Sequence, residues 1–117
     1  VAIGDRRVIA RGARIAGVDL DLHHLAPGKD LPETSSRPVF VDLGNLDPDT
    51  IETGTLSKPA GDSALANFKR AIALGADGAV DAVAFSPFNK ASMRLAHPAY
   101  EDEIVFVTDF DISRRAS

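Results

Sequence analysis

Asn89 and Lys90 stand where an apolar run, Val80-Asp81-Ala82-Val83-Ala84-Phe85, passes through Ser86-Pro87-Phe88 into a helical pattern. Lysine offers a cation and three donors, and asparagine offers both a donor and an acceptor. Open α/β sheets bind ligands at the carboxyl end of a strand facing the next helix. Free N–H groups at a helix start favour anions there. On this reading the turn makes a contact to a small-molecule substrate or phosphate, with Lys90 as the cation and Asn89 orienting polar groups. The alternative is an ordinary helix start whose lysine points to solvent. A little further on, Tyr100-Glu101-Asp102-Glu103 places three acids in a row. Carboxylate oxygens suit a divalent cation. The same run also makes the charged first turn of a helix, stabilised by its dipole.

Other polar groups have plainer readings. His23-His24 and His97 are of a type that ligates metals or moves protons, but His23-His24 leads into a loop as a solvated strand end, and His97 precedes Pro98 and shapes a turn. Asp42-Leu43-Gly44-Asn45 reads as a turn after a strand. No HExxH, GxSxG, paired CxxC, P-loop or GxGxxG pattern occurs, so the usual nucleotide fingerprints are missing. No cysteine is present, which excludes disulfides and thiolate metal sites.

The elements that position these residues follow from pattern. Val1–Ile3 reads as a strand. Asp5 caps a helix over Arg6–Ala16, with Val8, Ile9 and Ile15 on an apolar face and Gly17 as its stop. Val18–Leu22 alternates apolar and acidic like a half-buried strand. Residues 26–38 hold three prolines and read as a loop. Val39–Leu43 is a compact strand, and residues 44–60 form a long connection. Asp62 or Ser63 then caps a helix carrying Leu65, Phe68 and Ile72 on one face, closed by Gly75 and Gly78. Val80–Phe85 is the buried strand and Asn89–Leu95 a short helix, broken by His97-Pro98. Glu101–Phe110 begins like a capped helix, but its β-branched residues also allow a strand. Strands and helices in this order predict an α/β fold with a mostly parallel sheet and flanking helices.

Bulk properties narrow the class. The chain has 117 residues, 44% hydrophobic, with a net charge of −4. That length allows one domain with a real core. The spread of acids and the short basic clusters, Arg6-Arg7 and Arg114-Arg115, argue against a nucleic-acid partner. No apolar run approaches a membrane span. Together these fit a cytoplasmic protein. Opening at Val1, the chain reads either as a trimmed product or as a piece of a longer protein.

Three segments carry a family resemblance: VAIGDRRVIARGA, VFVDLGN and GDSALANFKRAIALGADGAVDAVAFSPFNKASM. Taken together they resemble the 4-hydroxythreonine-4-phosphate dehydrogenase family of pyridoxine biosynthesis. The resemblance covers nearly the whole chain, and the 80–93 segment is its most specific part. It implies an isocitrate/isopropylmalate dehydrogenase-like fold, with two α/β domains around a cleft in a homodimer. It implies an oxidoreductase in which NAD or NADP and a divalent metal (Zn, Mg or Co) oxidise a hydroxy acid, with decarboxylation. It places the metal-binding histidines and most of the cofactor site in segments that would follow Ser117. Residues 1–117 are therefore expected to be one α/β segment of a longer two-domain enzyme, inactive alone and binding neither metal nor NAD tightly.

The resemblance makes Asn89, Lys90, Glu101, Asp102 and Glu103 the substrate-binding candidates. Two departures stand out. Biosynthetic members carry Gly-His-Thr-Glu after the turn, where Tyr100-Glu101-Asp102-Glu103 keeps only the last residue. Asn89 replaces a histidine that some members carry. Acids at 101 and 102 would repel an anionic substrate. A different hydroxy acid or diol is thus the alternative substrate, and a non-catalytic binding module the alternative class.

Overall fold

The computed structural model describes residues 1–117. The chain divides into two compact units, Val1–Thr55 and Leu56–Ser117.

The first unit is a parallel α/β arrangement. It contains β1 (Ala2–Gly4), α1 (Arg6–Ala16), β2 (His23–Leu25), β3 (Val39–Asp42) and a 3₁₀ turn at Pro48–Thr50. The sheet order is β1-β3-β2, with both pairings parallel. Ala2 pairs with Phe40 and Gly4 with Asp42 on one side, and His23 with Val39 on the other. Val39, Phe40 and Val41 are all buried, as a central strand needs. Asp5 caps α1 by accepting from the Arg7 backbone N–H at 2.8 Å. Gly17 ends the helix at φ 66°, a left-handed conformation that costs glycine little.

Two expectations for this unit fail. Val18–Leu22 forms no strand, and Val18 and Leu20 are exposed. Alternation predicts a strand only when something covers its apolar face, and here nothing does. The strand begins at His23, whose N–H donates to the Pro38 carbonyl at 2.9 Å and leads into the β3 pairing. The predicted apolar face of α1 is likewise largely in solvent, with Val8 and Ile15 exposed and only Ile9 half-buried.

The second unit is helical, built from α2 (Lys58–Ala76), α3 (Lys90–Ala96) and α4 (Glu103–Ala116). Leu65, Phe68 and Ile72 of α2 are buried, as their spacing predicts. The helix starts earlier than expected, because Ser57 caps it in place of Asp62 or Ser63. Pro59 lies in its first turn, where a missing N–H leaves no bond unmade. Gly75 sits inside α2, and the chain leaves the helix through Asp77 and Gly78.

Val80–Phe85 is not a strand. It has no ladder partner in this unit, and an extended run without one satisfies none of its backbone groups by pairing. Val83 and Phe85 are correspondingly exposed. The ambiguous 101–110 segment resolves as helix. Asp102 accepts from Val105 N–H at 2.9 Å, and such a cap is worth about 1 kcal/mol, which offsets part of the few tenths lost at each β-branched residue.

The core of this unit is Leu65, Met93 and Tyr100, packed against Ala64, Phe88, Ala96 and Phe106. Phe68 joins Phe85, Phe88 and Phe106, with ring centroids 5.1, 5.1 and 5.6 Å away. Met93 has no exposed surface. Met93→Ala is expected to cost about 3 kcal/mol through lost apolar burial and the cavity left behind. The check is the urea midpoint followed by helical circular dichroism. No helix is long and apolar enough to cross a membrane.

Candidate functional site

Asn89 and Lys90 open α3. The Asn89 side-chain oxygen accepts from Ser92 N–H at 3.0 Å, so this residue caps the helix. Lys90 projects its ammonium to within 3.5 Å of Glu103 Oε2 at the start of α4. The lysine side chain is 44% exposed and the glutamate 22%. A pair so open to water contributes roughly 0–1 kcal/mol, little enough for another anion to displace.

The strap between α3 and α4 is pinned by Arg94, which donates to the carbonyls of Tyr100 at 3.1 Å and Glu101 at 3.3 Å. Glu101 itself is exposed, and the Asp102 carboxylate is engaged in capping α4. The Tyr100 ring is buried in the core, and its hydroxyl has no hydrogen-bond partner. Burial, and then the neighbouring Glu103 charge, push the phenol up to about 12.

Of the five residues singled out from sequence, the fold thus brings Lys90 and Glu103 together. It uses Asn89 and Asp102 as caps and leaves Glu101 at the surface. Tyr100 and Arg94 were not among the five. A tyrosine heading an acidic run hinted at the first, whereas no local pattern marked the second.

The polar cluster of the first unit is structural. Asp5 is buried and accepts from Arg7 Nε at 3.0 Å, a second Arg7 guanidinium nitrogen at 2.9 Å and Leu46 N–H at 2.9 Å. The Arg7 guanidinium, joined by backbone donors, holds this carboxyl far below the usual carboxylate range despite its burial. Asp42 accepts from the backbone N–H groups of Arg6 at 3.2 Å and Gly44 at 3.0 Å, so the Asp42–Asn45 segment is a bonded turn. Nowhere do three or more His, Asp or Glu side chains gather as a metal set.

Comparison with known proteins places this geometry. The family model "Pyridoxal phosphate biosynthetic protein PdxA" matches residues 1–113. A Rhizobium meliloti protein, named provisionally as a 4-hydroxythreonine-4-phosphate dehydrogenase, is 47% identical over 93% of this chain and 31% of its own length. A Symbiobacterium thermophilum protein, named provisionally as a D-threonate 4-phosphate dehydrogenase, is 37% identical over 80% of the chain and 28% of its own. The crystal structure of a Burkholderia phymatum 4-hydroxythreonine-4-phosphate dehydrogenase superposes with a TM-score of 0.77 at 27% identity, over 92% of this chain and 32% of that one. The chain spans about a third of the length of these relatives. The mixed α/β build with its parallel sheet agrees with the isocitrate dehydrogenase-like fold of these neighbours. With nearly every residue inside the family match, the chain belongs to the PdxA family of pyridoxal phosphate biosynthetic proteins, whose relatives are named as dehydrogenases.

Proposed function

We propose that this chain forms one wall of the substrate site in an NAD(P)- and divalent-metal-dependent dehydrogenase. The reaction oxidises the secondary alcohol of a phosphorylated hydroxy acid, such as 4-phosphohydroxy-L-threonine, and the resulting keto acid loses CO2. The observation that carries the reading is Lys90: a half-exposed cation at the start of α3, whose one ion-pair partner is the weakly held Glu103. Its role is to bind an anionic group of the substrate, phosphate or carboxylate, with Asn89 fixing the helix that presents it. The acids that follow are less repulsive than their number suggests. Asp102 already serves as a cap and Glu103 is paired with the lysine. Metal and nicotinamide are held by other parts of a full-length, cytoplasmic homodimer in this reading. When bound, they supply Lewis-acid stabilisation and a hydride acceptor.

A second substrate has specific support. Several relatives are named for D-threonate 4-phosphate, a phosphorylated hydroxy acid that shares the phosphate and the carboxylate but lacks the amino group. The test is a full-length polypeptide carrying this chain, assayed for nicotinamide reduction with each compound in turn. Activity on one of them identifies the substrate, and no activity on either with metal present refutes the dehydrogenase reading. Lys90→Ala is expected to lower kcat/KM about 100-fold, mainly through KM, as for loss of one charge-assisted contact. An unchanged kcat/KM removes Lys90 from the site.

A further inference from the structure

The Tyr100 hydroxyl is the one buried side-chain polar atom left without a hydrogen-bond partner. Such an atom normally finds a partner or is replaced by an apolar group. Phenylalanine would fill the same space, because Tyr100 packs with Leu65, Met93 and Phe106. The hydroxyl therefore brings no gain to the fold as it stands. It lies within electrostatic reach of Glu103, whose carboxylate is held 3.5 Å from the Lys90 ammonium. Glu103 thus stands between the ammonium, 3.5 Å away, and the Tyr100 hydroxyl, which is close enough to interact with it but is not held in a well-formed hydrogen bond.

We propose that Tyr100 is a positioning residue of the Lys90 site: its hydroxyl is the second partner of Glu103 and receives that carboxylate when an anionic substrate group takes Lys90. The exchange loses no interaction. The ligand anion replaces Glu103 on the ammonium, and the Glu103 carboxylate accepts the phenolic O–H, whose proton stays on Tyr100. Removal of the carboxylate from the front of Lys90 also lifts the repulsion it would exert on the incoming anion. The proposal rests on the reading of Lys90 as an anion contact, and the experiment separates the two.

The chain contains one tyrosine and no tryptophan, so its tyrosine emission reports on Tyr100 alone. The 117-residue chain is titrated with inorganic phosphate at fixed ionic strength. Binding is read by phosphorus NMR line width and the tyrosine by its fluorescence. Saturable line broadening that Lys90→Ala removes is expected, together with tyrosine quenching as the hydroxyl gains a carboxylate acceptor. Glu103→Gln is expected to keep phosphate binding and lose the quenching. Tyr100→Phe is expected to leave urea stability unchanged or raised, yet weaken phosphate about threefold, a combination that a purely structural tyrosine would not give. Lys90-dependent phosphate binding with unchanged emission overturns the exchange and leaves the Lys90 reading standing. Phosphate binding that does not depend on Lys90, or none at all, overturns both.

Discussion

Gly61→Ala is expected to destabilise the helical unit by about 3 kcal/mol, the upper end of what overpacking usually costs. A methyl group there would overlap the Ser92 carbonyl and lie 3.1 Å from Met93 Cα. These neighbours are backbone, so no rotamer change relieves the clash. Either α3 moves away from α2 or the first turn of α2 unwinds. Both outcomes disturb the bond from Ser57 N–H to Ser92 Oγ, 3.2 Å long, which ties the two helix starts together. Alanine is the better helix former by about 1 kcal/mol, so the steric cost must exceed that gain for the sign to hold. Gly12 in α1 supplies the control, since an added Cβ there meets nothing within 4 Å. Gly12→Ala is expected to stabilise by roughly 0.5–1 kcal/mol. Opposite shifts of the urea midpoint for the two variants check the argument, and shifts of the same sign would refute it.

Asp5→Ala is the second large effect, expected to cost about 3 kcal/mol at neutral pH. About 1 kcal/mol is the lost helix cap, and about 1–3 kcal/mol is the Leu46 N–H left without its acceptor. The pH dependence has a definite sign. The carboxyl is held below its ordinary value of 3.8 in the folded chain, so its contribution is complete above that value. As pH falls below 3.8, the unfolded chain takes up a proton that the folded chain refuses, and the contribution is lost. The stability gap between the native chain and Asp5→Ala should therefore be constant near neutrality and narrow in acid. Chemical denaturation at several pH values, with amide exchange in α1 as the local reading, tests this. A gap that widens in acid contradicts the assignment.

What was legible in the residues was local. The Asp5 cap, the Gly17 stop and the 3.6-residue spacing of Leu65, Phe68 and Ile72 act within a turn or two of chain, and each stands where it was expected. What misled depended on distant partners. Val18–Leu22 and Val80–Phe85 have strand composition, but a strand exists only by pairing, and neither finds a neighbour here. Pro59 falls inside the stretch whose composition reads as a connection, although proline suits the first turn of a helix. The candidate site was legible in the same uneven way. Lys90 and Glu103 were singled out from type and family likeness, and their ion pair comes from the packing of α3 and α4 with α2. The buried Tyr100 hydroxyl could not be seen in a run of acids, because solvent access belongs to the folded chain.

The approach of α2 and α3 at Gly61 has a mechanical consequence. Two helices touching backbone to backbone have no side chain between them to compress or rotate, so the contact is stiff. Lys90 begins the helix on one side of that contact, and Asn89 locks its first turn. The platform beneath the ammonium is thus fixed, and any adjustment to an arriving ligand falls to side-chain torsions of Lys90 and Glu103. Such torsions relax in picoseconds to nanoseconds, whereas helix shifts take microseconds or longer. On this clock the proposed wall would answer a ligand within a single encounter.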